Sequence, residues 1–322
     1  MPSDSKKESP KFLLEARNIE VTYKTRRGLL KALSGVSLYL KQKEVLGIVG
    51  ESGCGKTTLA RTITTIIKPD LGEVLYKGEN AFEMPPEKRF SFIQMIFQDP
   101  YSSLNPRMKV GDIIAEGPLN FGLIENKKKG HELAKQLLKT VDLPEEFVNR
   151  YPHQLSGGQR QRVGIARALA VEPEVIVADE PVSALDVSVQ AQILNLLKRL
   201  TREKNFSLIY ISHDLGTVRF LSTRVMVMYA GSVVEESPTE ELFEKPLHPY
   251  TKALIDSVPS IKREIKVIAG EPPDPVNLPP GCPFINRCPR PIEQCSKSKP
   301  KLKEVYTNNR TPRKVACHNP IF

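Results

Sequence analysis

Three short apolar runs recur along the chain, and each breaks off into a polar cluster: EVLGIVG (44–50) before ESGCGKTT, EVIVA (174–178) before DEP, and SLIYIS (207–212) before HD. Their hydrophobicity is continuous rather than alternating, as in parallel-sheet strands whose two faces are both covered. Elsewhere the period lengthens to that of helices. In SVQAQILNLLKRLTREK the residues Val189, Ile193, Leu196, Leu197 and Leu200 share one face. The pattern predicts an open α/β sheet, and in such sheets ligands bind outside the carboxyl ends of the strands. All three polar clusters lie there, so they point to one site.

Two segments depart from this pattern. Residues 100–172 carry helical stretches such as HELAKQLLKTV and QRQRVGIARALA and read as a helical insertion. From about residue 259 the composition shifts, with eleven of the 27 prolines falling between Pro272 and Pro320. Proline at that density breaks helices and central strands, so this tail is expected to be held by something other than regular secondary structure. The chain therefore divides into an α/β domain over 11–258, with its helical subdomain at about 100–172, and a C-terminal extension over 259–322.

Composition narrows the class. A chain of 322 residues with 40% hydrophobic side chains can bury one large core or two smaller ones. The start, MPSDSKKESPK, has no apolar h-region, and no stretch approaches the roughly 20 apolar residues that span a membrane. The expected location is cytosolic, or at a membrane through partners. The net charge of +10 raises the question of nucleic acid. Yet residues 261–322 hold twelve Lys and Arg against five Asp and Glu, so +7 of that charge sits in the tail and the main domain carries no basic stripe.

The strand ends carry the chemistry. Gly50-Glu51-Ser52-Gly53-Cys54-Gly55-Lys56-Thr57-Thr58 fits GxxxxGK[ST], placed between a strand and a helix beginning near Lys56. The glycines let backbone N–H groups converge on phosphate oxygens, and the helix N-terminus adds partial positive charge. Lys56 neutralises the β and γ phosphates and the Thr57 hydroxyl ligates magnesium. Cys54 belongs to this loop and needs no redox role. Asp179 and Glu180 follow an apolar strand, and adjacent strand residues point to opposite sides. Asp179 can approach the magnesium shell while Glu180 polarises an attacking water. His213, at the end of the third strand, is placed to contact the γ-phosphate. LSGGQ, with Ser156, Gly157, Gly158 and Gln159 before a helix, makes a second anion-binding N-terminus. One γ-phosphate can use both devices if two subunits meet head to tail, each lending its LSGGQ to the nucleotide on the other's Lys56.

Taken together, the phosphate loop, LSGGQ, the strand ending Asp179-Glu180, Ser183-Ala184-Leu185-Asp186 and the strand-end His213 resemble an ABC-transporter ATPase subunit over residues 11 to about 245. The resemblance implies a RecA-like P-loop NTPase core with a mostly parallel sheet, an N-terminal antiparallel β subdomain and a helical insertion. It also implies roles: Tyr23 stacks on adenine, Gln98 in IFQDP links the magnesium site to the membrane partner, and Asp186 communicates across the dimer. MIFQDPYSSLNPRMKVGDII, LHPYTKALIDSVP and CPFINRCP narrow it to the oligopeptide and dipeptide importer branch, PYSSLNPRM being similar to its F-type subunit. Such members work as a D and F heterodimer on the cytoplasmic face of the membrane, beneath two integral permease subunits, with an extracytoplasmic substrate-binding protein beyond. Related systems import oligosaccharides or nickel. A rival reading, an ABC ATPase acting on DNA or ribosomes, would call for a long coiled-coil insertion or a second cassette, and only about 100 residues separate the phosphate loop from LSGGQ. A purely regulatory subunit is disfavoured by the intact Glu180.

The tail adds one further group. Cys282, Cys288, Cys295 and Cys317 are separated by five, six and 21 residues. Disulfides are disfavoured in a reducing cytosol. Structural zinc usually shows closer C-x₂₋₄-C pairs, though His318 is an alternative ligand. The resemblance implies the third option, a 4Fe-4S cluster held by four thiolates, as in some members of the branch. Its net charge near −2 would offset part of the tail's basic surplus. Lying far in sequence from the ATP motifs, the group is expected to be structural or regulatory.

Overall fold

The computed structural model describes residues 12–99, 101–258, 270–306 and 312–322; the composition shift at 259 falls outside them. The strands are β1 (Leu14–Thr25), β2 (Gly28–Leu40), β3 (Val45–Val49), β4 (Leu71–Tyr76), β5 (Glu79–Asn80), β6 (Ile93–Ile96), β7 (Val175–Asp179), β8 (Ser207–Ser212), β9 (Arg224–Tyr229), β10 (Ser232–Pro238), β11 (Lys303–Tyr306) and β12 (Pro312–Val315). They form an antiparallel sheet in the order β2-β1-β4-β5 and a larger one in the order β11-β12-β10-β9-β3-β8-β7-β6. The three runs expected as strands are β3, β8 and β7, side by side at the centre of the larger sheet and parallel. The five strands from β9 to β6 are parallel, and the β10, β12 and β11 edge is antiparallel.

Alternation along each central strand divides the core in two. Val45, Val49, Ile176, Ala178, Leu208 and Tyr210 face one cluster, with the helices Gly157–Leu169 and Val187–Glu203. Leu46, Ile48, Val175, Val177, Ile209 and Ile211 face the other, which is closed by the antiparallel sheet and the helix Lys56–Ile63. With apolar partners on both faces, every position of β3, β7 and β8 is buried. That explains the continuous apolar runs. In the Val187–Glu203 helix the buried side chains are Ile193, Leu194, Leu196, Leu197 and Leu200, with Val189 partly covered. From Tyr101 to Leu169 the described residues form helices and turns.

The tail departs from expectation. β12 pairs with β10 through Glu235↔Val315 and Glu236↔Lys314, and β11 pairs with β12, so the extension completes the edge of the main sheet. Proline density did not prevent this because Pro312 occupies the first residue of its strand, one of the positions where a missing N–H is tolerated. Phe284, Cys282 and Cys295 pack into the same core cluster as the helical side. Packing and strand pairing thus hold the extension directly onto the α/β domain.

Candidate functional site

The loop Gly50–Thr58 leaves β3 and enters the Lys56–Ile63 helix. Gly55 takes φ +103°, and a Cβ there would stand 2.4 Å from the Ala32 carbonyl oxygen, so glycine is required on two counts. Lys56 is buried and its Nζ donates to the carbonyls of Gly50 (2.7 Å) and Glu51 (3.0 Å), at the mouth of the loop. Cys54 is buried, and burial pushes its thiol pKa up, the condition of an inert cysteine. The cleft outside the loop measures about 710 Å³. Tyr23, Gln98, Glu180 and His213 line it together with Glu51 to Gly53 and Gly55 to Thr58.

At the end of β7 the two carboxylates separate, Asp179 closing the strand and Glu180 following it outside the strand conformation. Asp179 is 2% exposed, and burial raises its pKa against the opposing hydrogen bond from Thr57 and the charge of Lys56. Its Oδ1 is buried without a hydrogen-bond partner among the described residues. An orphaned carboxylate oxygen beside a threonine hydroxyl and a phosphate-binding loop fits a hard cation with oxygen ligands. Glu180 points into the cleft instead. Its Oε2 accepts from Gln98 Nε2 (3.3 Å) and faces His213 Nδ1 (3.1 Å). The Glu180 backbone lies at φ +46°, a left-handed conformation held by its N–H donating to Ile211 O at 2.9 Å. Strain of this kind in a non-glycine residue concentrates at functional sites.

The remaining site residues from the sequence lie elsewhere in the chain. Ser156 caps the Gly157–Leu169 helix, accepting from Gln159 N–H (3.3 Å) while Gln159 Oε1 accepts from Ser156 N–H (3.0 Å). A Cβ on Gly158 would lie 2.4 Å from Val189 Cγ1, so this residue must be glycine for the two helices to approach. Asp186 caps the Val187–Glu203 helix through Val189 N–H, and the Ser188 hydroxyl, followed by that N–H, draws its pKa down. None of Ser156, Gly157, Gly158, Gln159 or Asp186 lines the cleft around Lys56.

Sequence reasoning missed Leu30, Ala32 and Leu254, which line the cleft, and Arg287, whose guanidinium grips the Glu51 side chain of the phosphate loop. The apolar three had no distinguishing motif. All five cysteines are free thiols. Burial, with the charges of Cys295, Cys317 and Cys288 nearby, pushes the Cys282 thiol up to about 11. Burial likewise raises Cys288 and Cys317. Among the described residues no three His, Cys, Asp or Glu are grouped so as to hold one metal ion, and no helix is long and apolar enough to cross a membrane.

Residues 33–183 match the family model described as ABC transporter, and residues 234–295 match the one described as oligopeptide/dipeptide transporter, C-terminal region. The chain is 47% identical over 317 residues to the putative oligopeptide transport ATP-binding protein YkfD of Bacillus subtilis, covering 95% of each. It is 44% identical to the oligopeptide transport ATP-binding protein OppF of Escherichia coli, covering 96% of this chain and 98% of that one. Among solved structures it is similar to the ATP-binding cassette MJ0796 in a dimeric post-hydrolysis state bound to ADP and Pi. The TM-score is 0.64 at 32% identity, over 70% of this chain and 98% of that one.

Proposed function

Because the chain belongs to the ABC transporter family, among its oligopeptide transport ATP-binding proteins, we propose that it hydrolyses ATP to drive uptake of oligopeptides or dipeptides through membrane-embedded permease subunits. The observation that carries this reading is the convergence of Lys56, Gln98, Glu180 and His213 on one cleft. The phosphate loop, with Gly50, Glu51, Ser52, Gly53, Cys54, Gly55 and Thr58, cradles the phosphates, and Lys56 turns from its loop carbonyls to the β and γ oxygens. Tyr23, 38% exposed and with its hydroxyl 3.5 Å from Thr58 Oγ1, offers a ring for the base. Glu180 orients and polarises the attacking water, and Gln98 and His213 hold its carboxylate in position. Thr57 and Asp179, with Gln98 near, would hold magnesium, which when bound neutralises charge developing on the transferred phosphoryl group.

The signature residues Ser156, Gly157, Gly158 and Gln159, with Asp186, serve the nucleotide of a partner subunit, and a D-type subunit is the proposed partner. The dimeric state named for the related cassette supports this reading. The test is assembly. Static light scattering on Glu180→Gln protein should report a monomer without nucleotide and a dimer with ATP. A mass that stays monomeric with ATP and with the D-type partner present would count against a composite site.

For the tail we keep the four-thiolate iron–sulfur cluster as the proposal. Its support is the resemblance of the tail, together with the burial of Cys282 and Cys295 in one core cluster against which Cys288 packs. Anaerobically purified protein should be brown, absorb broadly near 400 nm and carry about four irons per chain. Colourless protein with one zinc, or with two disulfides and no metal, would remove the cluster and leave the ATPase reading intact.

A further inference from the structure

The C-terminal extension reaches the phosphate loop through Arg287. Arg287 closes a short turn, Ile285–Arg287, and its guanidinium grips Glu51 with both arms: Nη1 donates to Oε2 at 2.7 Å and Nη2 to Oε1 at 2.8 Å. The arginine side chain is only 5% exposed and the glutamate 25%. Nη1 also donates to the Tyr229 hydroxyl at 3.2 Å. The same loop residue is held at its other polar groups. Its N–H donates to the Tyr250 hydroxyl (2.9 Å), and its carbonyl accepts from Lys56 Nζ (3.0 Å). Beneath the pair, Phe284 meets Tyr229 and Tyr250 edge-on, at centroid distances of 5.3 and 5.4 Å. The extension makes a second contact where Arg27 of the β1–β2 turn pairs with its Asp274 at 2.6 Å.

Glu51 poses an electrostatic problem that Arg287 answers. A carboxylate in the second position of a loop that cradles a polyphosphate opposes its own ligand, and in a partly buried site such opposition is weakly screened. A bidentate arginine cancels that charge and fixes the side chain in one orientation. Resting on the reading of the cleft as an ATP site, we propose that Arg287 is a positioning residue for ATP: the extension neutralises Glu51 and sets the phosphate loop in its binding geometry. The extension then acts on nucleotide affinity, and any event that displaces the Ile285–Arg287 turn weakens ATP binding.

The test is calorimetric titration of the full chain with AMP-PNP and magnesium. Arg287→Ala should raise the dissociation constant about tenfold, the lower range for a lost hydrogen-bonded charge. Arg287→Gln, which keeps most of the side chain, should weaken binding similarly and serves where the alanine variant fails to fold. The decisive readout is charge-specific rescue: adding Glu51→Gln to either variant should bring affinity back to within about threefold of wild type, because the repelling carboxylate is gone. A merely structural arginine would give no such rescue. Wild-type binding with unchanged affinity in the Arg287 variants overturns the proposal, as does weakened binding that Glu51→Gln leaves weak. A wild-type chain that binds no AMP-PNP overturns the ATP-site reading and this proposal with it.

Discussion

Glu180→Gln should leave ATP binding intact and lower hydrolysis at least about a hundredfold, the range associated with loss of a positioned base. The substitution keeps the shape of the side chain, so Gln98 and His213 retain a partner at the same place, while the charge that draws a proton from water in the proposed role is removed. The backbone is fixed independently of the side chain: Glu180 N–H donates to Ile211 O and its carbonyl accepts from Ser183 N–H (3.2 Å) and Ser183 Oγ (3.1 Å). Loss of turnover therefore cannot be assigned to collapse of the loop. The measurement is phosphate release at saturating ATP alongside nucleotide affinity. Near-normal turnover in this variant would remove Glu180 from its role.

The largest expected effect on stability lies at residues that do not line the cleft. Arg313, 1% exposed, donates from Nη2 to Glu235 Oε1 (2.8 Å) and to the Lys245 carbonyl (2.8 Å), and Glu235 is fully buried. The carboxylate also accepts from the N–H groups of Leu247 (2.9 Å) and His248 (2.8 Å). Arg313→Leu strands that carboxylate in the interior and should cost about 3–5 kcal/mol, the scale seen when one partner of a buried ion pair is removed. Denaturant midpoints at unchanged slope would measure it. Burial already raises the Glu235 pKa, and losing the cation raises it further. A group whose folded pKa lies above its unfolded value contributes stability that is present below the unfolded pKa and lost as pH rises through the folded one. The deficit of Arg313→Leu should therefore shrink as pH falls toward the carboxylate range, and Glu235→Gln in the same chain should recover much of it. A deficit that is small or independent of pH would show that the pair is not the anchor of this edge.

What the sequence made legible follows from what burial and chemistry force. β3, β7 and β8 sit between two apolar layers, so their interior positions carry hydrophobic side chains or glycine, with Asp179, Ser207 and Ser212 only at strand ends, and their outlines are plain. The GxxxxGK[ST] spacing and the acidic pair closing an apolar strand are local patterns, so the phosphate loop and Glu180 stand out from the chain alone. β10 was illegible for the opposite reason: Glu235 and Glu236 are buried within it, and charged residues in a strand read locally as solvent-facing. They are tolerated because Arg224 of the adjacent strand β9 pairs with Glu236 and Arg313 reaches Glu235 from 78 residues away. β12 was hidden by proline density, and Arg287 by its setting, since one arginine between two cysteines in a basic tail carries no local signal of the glutamate it grips. LSGGQ was readable as a device, but its capping role inside one chain says nothing of what stands opposite it.

The pairing of β10 with β12 also orders events in time. Glu235 leaves the ribosome 78 residues ahead of Arg313. At about 5–20 residues per second that interval lasts roughly 4 to 16 s. Through it the nascent chain holds an acidic strand whose counter-charge has not yet been made, and desolvating that carboxylate alone is costly. The sheet can therefore assemble from its centre outward while translation continues, whereas its β10 edge has to wait, wet and open, for residues synthesised long after the strand itself. The buried ion pair acts as a checkpoint on synthesis: this flank of the ATPase core becomes dry only once the extension has been translated.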